Sequence, residues 1–385
     1  MRRVEGTAEL VILPAVRTSS TPARRGEARA ALARAERLAA HSRWQEAVEV
    51  LAAVKVPASS APDLALRVLH TEAWARLYLG QLEAATALCE RGRALSEGEL
   101  FDDTDRAEAL FRLGACRLKA GKVANAVSLL GEALRLTEPG GARRDRVRAQ
   151  ALEWRARCYV LQRDWDAAQA DAERAVEIAE SLKDARLQAL ATMQCSVIAE
   201  RRGNPRLSLF YAEHARELAV ECGDRQTEAR LLNNLGGLAF LVGEPEQAVA
   251  HVKASFAIFL DLGADADAAQ AVSTLAQIHL RCGAPLLAEE QARHALSILD
   301  GRDDFLDERG NVHLVLGRAL LAQEKPQAAL AEFAAAERLF RRFGSTSHLA
   351  AAWTAEGDAY ARLRDVDAAA ALYRRAAQAL QDFHF

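Results

Sequence analysis

The sequence predicts an all-α fold, a solenoid of about nine helical hairpins spanning residues 27–385 behind a flexible N-terminal arm of residues 1–26. Three observations predict it. Small residues return at a fixed phase along nearly the whole chain, the breaks between apolar stretches carry helix-cap and tight-turn chemistry, and no stretch alternates as a strand would.

The phase is set by residues 231–250, LLNNLGGLAFLVGEPEQAVA, where Asn-Asn and Gly-Gly interrupt an apolar run. Gly236 serves as a first anchor, Ala248 twelve residues on as a second, and Ser255 seven further as a third. Slid along the chain, the first anchor falls on Ala35, Ala73, Gly114, Ala156, Ser196, Gly236, Ala276, Gly317 and Gly357. The second falls on Ala47, Ala85, Ala126, Ala168, Ser208, Ala248, Ala288, Ala329 and Ala369. The third falls on Val54, Gly92, Ala133, Ala175, Ala215, Ser255, Ala295, Ala336 and Ala376, so Val54 is the only bulky residue in the set. Two antiparallel helices approach closely only where a side chain on the contact ridge is cut back, so each unit reads as a helical hairpin. Gly236 is then a packing notch, and Asn233 and Asn234 lie on a helix.

Taken in chain order, residues 1–29 contain six arginines, five of them in the arm, and the arm carries the apolar cluster LVILP (10–14), which Glu5, Glu9 and Pro14 mark as no secretory signal. Within hairpins, Pro205, Pro245, Pro285 and Pro326 stand three residues before the second anchor, where a second helix starts and a missing N–H costs nothing. Asp164, Asn204 and Asp365 precede that position as N-caps. Gly223, Gly263 and Gly344 close second helices. Connectors such as SLKDAR (181–186) and ECGDRQT (221–227) read as turns, while 54–63, 137–145 and 300–309 are longer and carry Pro, Gly and charge. None is long enough to divide the array, so one continuous solenoid is expected. The terminal QDFHF offers Phe383 and Phe385 either to the ninth hairpin or to a homodimer contact.

The three small positions resemble the tetratricopeptide repeat (TPR), whose consensus has Gly or Ala at the first notch and Ala at the other two. The resemblance implies a right-handed superhelix with a concave wall formed by the first helices. First anchors are 38 to 42 residues apart, against 34 in the common form, so each hairpin carries extra helix. Units of this length resemble those in the sensor arms of bacterial helix-turn-helix/TPR transcription regulators, in kinesin light chains and in cell-polarity adaptors. The segment HLAAAWTAEGDAYARLRDVDAAAALYRRAAQAL (348–380) is similar to the end of actinobacterial regulators of the first kind. A helix-turn-helix head is expected to be lacking, because residues 1–26 cannot hold three helices.

Direct nucleic-acid binding is not expected at a net charge of −3 and a pI near 6.3, without a basic stripe. No run of 18 apolar residues is present, so no membrane span is expected, and the cytoplasm is the expected compartment. Six cysteines lie scattered without C-x-x-C and read as packing residues, and nine histidines show no metal spacing. His279 is expected in a hairpin interior. No phosphate loop, nucleophile elbow or dinucleotide fingerprint occurs, and acidic pairs such as Asp102/Asp103 and Asp303/Asp304 fall in solvated connectors. No enzyme activity, cofactor or metal is expected.

Binding remains, and the positions six and three before each first anchor and one after it are expected to face the groove. They are Arg67, His70 and Trp74 in the second hairpin, Gln150, Glu153 and Arg157 in the fourth, and Leu190, Met193 and Val197 in the fifth. In the sixth they are Arg230, Asn233 and Gly237, in the seventh Gln270, Ser273 and Gln277, and in the eighth Asn311, Leu314 and Arg318. Amides pair with both groups of a peptide backbone, and guanidinium forks onto carboxylates. The candidate protein- or peptide-binding residues are therefore Arg157, Arg230, Asn233, Gly237, Gln270, Gln277, Asn311 and Arg318. Amides on first helices holding a peptide backbone are also what the resemblance to peptide-sensing regulators implies. Two functions fit: a non-catalytic scaffold or adaptor, or a peptide-sensing arm that controls a transcription factor.

Overall fold

The computed structural model describes residues 22–381 apart from 55, 57, 58, 139, 302–304, 344 and 345. LVILP, Asp303 and Asp304, Gly344, Phe383 and Phe385 lie outside the described residues. Among those described there are eighteen helices and no strand. They pair in chain order: α1 (Pro22–Ala40) with α2 (Trp44–Ala52), α3 (Pro62–Tyr78) with α4 (Leu82–Ser96), α5 (Asp103–Lys119) with α6 (Val123–Leu136). Next come α7 (Ala142–Gln162) with α8 (Trp165–Leu182), α9 (Ala185–Arg201) with α10 (Pro205–Glu221), and α11 (Arg225–Leu241) with α12 (Pro245–Asp261). The last three pairs are α13 (Asp265–Arg281) with α14 (Pro285–Ile298), α15 (Leu306–Ala322) with α16 (Pro326–Phe343), and α17 (Thr346–Arg362) with α18 (Val366–Gln381). Each helix packs on its partner and on the next hairpin, which makes a TPR-like solenoid. Helix α1 starts at Pro22, inside the segment assigned above to the arm.

The caps follow the sequence chemistry. Pro205, Pro245, Pro285 and Pro326 open α10, α12, α14 and α16, and the Asn204 Oδ1 accepts from the Leu207 N–H at 3.2 Å. Asp164 and Asp365 accept in the same way from the Ala167 and Ala368 N–H groups at 3.1 Å. Asp102, read above as a connector residue, instead caps α5 through a reciprocal bond with Asp105, although its side chain stays exposed. At the ends of α7 and α8 the left-handed conformation falls on Arg163 and Lys183, where hairpins five to seven place glycine; after α15 and α17 it falls on Glu324 and Arg364.

The anchors sit at helix contacts: every first and second anchor is buried, and so is every third anchor except the half-buried Val54. Their identities follow a size rule with the residue four past the second anchor. A β-carbon on Gly236 would overlap Val252, one on Gly114 would come within 2.9 Å of Leu130, and Gly317 and Gly357 lie under the rings of Phe333 and Tyr373. Where the first anchor is Ala73, Ala156, Ser196 or Ala276, the residue at that register is Cys89, Ala172, Ala212 or Ala292. Glycine takes a large partner and alanine or serine a small one, so the helix separation is kept by trading bulk across the seam. The first hairpin departs, with Ala35 set against Leu51. In the fifth, the Ser196 and Ser208 hydroxyls each donate to the other's carbonyl, at 2.9 and 2.8 Å, which satisfies two buried hydroxyls.

Candidate ligand-binding groove

The first helices form the inner wall, and their three columns of groove positions differ in access. Six residues before the anchor, Gln150, Arg230, Gln270 and Asn311 are half-buried and Arg67 is exposed. One residue after it, Gln277 and Arg318 are exposed while Arg157 and Gly237 are half-buried. The column three before the anchor is mostly shut: His70, Glu153, Met193, Ser273 and Leu314 are buried, because this position falls in the seam between successive first helices. Asn233 alone of the residues named there is half-buried, and its Oδ1 is enclosed without a hydrogen-bond partner, as is the Ser273 Oγ one hairpin on. His279 is half-buried rather than in the core.

Several of the groove residues bind their own chain. The Arg230 Nη2 donates to the Asp267 Oδ2 at 3.2 Å, and its guanidinium lies 5.2 Å from the Tyr78 ring centroid. Arg157 pairs with Glu153 at 2.5 Å and lies 4.6 Å from the Trp154 ring. The Asn311 Nδ2 donates to the Asp307 Oδ1 at 3.1 Å. Gly237 faces open space, with nothing within 4 Å of where a β-carbon would stand. For Gln270, Gln277 and Arg318 the side chains make no hydrogen bond or ion pair among the described residues.

The wall encloses charge. Burial raises the Glu153 carboxyl pKa, against the downward pull of Arg157 and Arg230. Lys119, at the end of α5, touches solvent, yet protein surrounds it on enough sides that desolvation lowers its pKa. Arg230 and Arg157 push the same way, while Glu308 and Asp267 oppose them. Residues of hairpins three, four, six, seven and eight therefore lie within electrostatic reach of one another around a central lumen.

The lumen is enclosed because the first two hairpins reach across to the later ones. The buried Trp44 Nε1 donates to the Gln226 Oε1 at 2.9 Å, joining α2 to α11. The Arg186 Nη1 donates to the Ala40 carbonyl at 3.3 Å, and its Nε lies 2.8 Å from Asp224. The turn after α3 packs Gly80 beneath Phe305, the residue before α15.

A cavity of about 570 Å³ opens at the N-terminal ends of α3 and α5. Leu66, His70 and Phe101 form its apolar side, and Arg67, Glu108 and Arg143 its polar side. Arg67 and His70 are groove positions, so this is the inner wall's N-terminal section. Burial lowers the His70 pKa, opposed by the Glu108 carboxylate, 3.6 Å from its Nδ1.

The sequence reading did not find Trp44, Tyr78, Lys119, Gln226, Asp267 or Glu308. Tyr78 and Lys119 share one register, five residues past their anchors, and Asp267 and Glu308 share another, nine before theirs. Both registers lie beyond the three columns considered, at the helix ends that meet across the lumen.

No family model matches the chain. Among solved structures, it is similar to a Rap protein complexed with competence and sporulation factor, with 15% identity, a TM-score of 0.64, and 93% of this chain and 99% of that one covered. It is also similar to the apo form of the quorum sensor NprR from B. thuringiensis, with 12% identity, a TM-score of 0.58, and 92% and 99% covered. A third is the Rap conjugation gene regulator of the plasmid pLS20 in complex with the Phr* peptide, with 13% identity, a TM-score of 0.57, and 75% and 79% covered. At such identities the likeness shows the fold, a solenoid of TPR type.

Proposed function

We propose that the chain is a non-catalytic peptide sensor that holds an extended peptide along its inner wall and passes the event to a partner protein. The observation that carries this reading is the run of half-buried or exposed amides and guanidinium groups on α11, α13 and α15, namely Asn233, Gln270, Gln277, Asn311 and Arg318, along an enclosed lumen. An extended backbone offers paired N–H and C=O groups to such amides, and Gly237 leaves room for its close approach. Enclosure favours a peptide over a folded partner, which would require the first hairpins to swing away. The structural likeness to a Rap regulator in complex with the Phr* peptide supports the same choice. No described helix is long and apolar enough to cross a membrane, which suits the cytoplasmic setting proposed with this role.

The test is a thermal-shift screen of the purified chain against a randomised library of five- to ten-residue peptides, followed by calorimetry on the hits. A peptide that raises the melting temperature of the native protein, with affinity lost in Asn233→Ala and Gln270→Ala variants of normal helicity, supports the reading. Hits that bind both variants as well as the native protein place the peptide elsewhere and refute it. The scaffold reading draws on a different observation, the exposed Phe210 and Leu286 on outer helices α10 and α14. It predicts protein capture abolished by Phe210→Ser and untouched by Asn233→Ala.

A further inference from the structure

Successive repeats of a solenoid stabilise one another, so folding does not call for contacts between the first hairpin and the sixth. This chain makes them, and they converge on one carboxylate. The Asp267 Oδ2 accepts from the Gln226 Nε2 at 3.1 Å and from the Arg230 Nη2 at 3.2 Å. The Gln226 Oε1 accepts from the Trp44 indole N–H at 2.9 Å. The Trp44 ring lies parallel to that of Tyr78, at 4.5 Å and 7°, and Tyr78 carries the Arg230 guanidinium on its face at 5.2 Å. Five side chains from α2, α3, α11 and α13 thus close a circuit: Arg230, Asp267, Gln226, Trp44, Tyr78 and back to Arg230.

We propose that this circuit is a clasp that holds the first two hairpins across the lumen, and that Asp267 couples its closure to occupancy of Arg230. The coupling follows from the geometry of an amide. Gln226 has one accepting and one donating end. Its donor end is fixed on Asp267, so its acceptor end faces the indole N–H. Without that carboxylate the amide is free to turn its NH2 toward Trp44, donor against donor, and a buried bond is lost. Arg230 supports the same bond from the other side, because it holds Asp267 in place and Tyr78 beneath Trp44.

Deepening the peptide reading, on which this part rests, the ligand group that works the clasp is a carboxylate, either an acidic side chain or a peptide C terminus. Arriving at Arg230 in forked geometry, it displaces Asp267, which only one guanidinium nitrogen reaches, at 3.2 and 3.4 Å from its two oxygens. Gln226 then loses its orientation, and α1 to α4 swing free of α11 and α13. A neutral or purely basic peptide has no group with which to displace Asp267.

The experiment uses the ligand-free full chain, so its outcome does not depend on finding a peptide. Amide hydrogen exchange of α1–α4 is measured in the native protein, in Trp44→Phe, which keeps an aromatic ring and removes the indole donor, and in Asp267→Asn, Arg230→Ala and the Trp44→Phe/Asp267→Asn and Trp44→Phe/Arg230→Ala pairs. Each single variant is expected to speed exchange in α1–α4 about tenfold, the loss of one charge-supported buried hydrogen bond, and to leave α17 and α18, which the first two hairpins do not touch, unchanged. Each pair is expected to match its single variants, because the members of one circuit are lost together. Unchanged exchange in α1–α4, or paired variants whose effects multiply, overturns the clasp. Small-angle scattering on the same samples reads opening as an increase in radius of gyration. A variant with altered helicity is replaced by Gln226→Met, for which the same outcomes decide. The carboxylate assignment is then read on a library peptide and its C-terminal amide or Glu→Gln counterpart: opening by both forms overturns the assignment and leaves the clasp standing. Failure of the peptide reading shows separately, as a library with no hits.

Discussion

Gly236 and Gly237 are neighbours on one helix, and the structure predicts opposite results for the same substitution. In Gly236→Ala the new methyl overlaps the Val252 side chain and stands 3.0 Å from the Ala248 carbonyl oxygen, which is backbone and cannot rotate away. Overpacking of this kind costs about 1–3 kcal/mol, while alanine in place of glycine inside a helix returns about 1 kcal/mol. Gly237→Ala receives the propensity gain with no overlap, since nothing stands within 4 Å. The two variants are therefore expected to differ by about 1–3 kcal/mol, with Gly237→Ala more stable than the native chain and Gly236→Ala less stable. Urea unfolding followed by far-ultraviolet circular dichroism measures the difference. Adding Val252→Ala to Gly236→Ala recreates the alanine pairing of Ala156 with Ala172 and is expected to recover part of the loss. Equal stability of the two single variants would refute the notch assignment and, with it, the trade of bulk across the seam.

The same structure fixes three further outcomes. Asp171 is buried and bound at both oxygens by Arg155, at 2.6 and 2.8 Å; Asp171→Ala is expected to lose about 2–3 kcal/mol, below the cost for a fully dry pair because Arg155 keeps some contact with water, and equilibrium unfolding checks it. Phe333→Ala empties the space above Gly317 and is expected to cost about 3–5 kcal/mol, partly restored by adding Gly317→Ala, as read by thermal unfolding. Burial lowers the His70 pKa; the nearby Glu108 and Asp105 carboxylates oppose that shift, and Arg112 reinforces it. The unfolded chain therefore takes up the proton first, and stability is full above pH ~6.5 and falls as pH drops through that value toward the folded pKa. The urea midpoint is expected to decline between pH 7.5 and 5.5 in the native protein, and His70→Gln to flatten the decline.

How much of this was legible in the residues depends on the distance over which they act. The hairpins were legible because a notch, a proline and an Asn or Asp cap all act within one unit and repeat at one phase. The size rule was also present, in the residue four past each second anchor, but a search for small residues alone passes over Phe333 and Tyr373. The groove columns were partly legible. Positions six before and one after the anchor keep their access, but the column between them turns into the seam, as Glu153 and Ser273 show, because successive first helices lie closer together than a flat wall implies. The clasp was not legible. Trp44 and Gln226 lie 182 residues apart, and their meeting depends on the curvature summed over five hairpins, which no local spacing encodes.

The size rule also sets where such a chain tolerates recombination. Each notch and the residue that fills it lie on the two helices of the same hairpin, so a unit moved whole, with cut points in the connectors between hairpins, carries its fit along. A crossover in the tight turn inside a hairpin would set Ala276 against Phe333, or Gly317 against Ala292, producing a clash in one chimera and a void in the other. New arrays of this type are therefore expected to arise by exchange of complete hairpins, with the half-units inherited together.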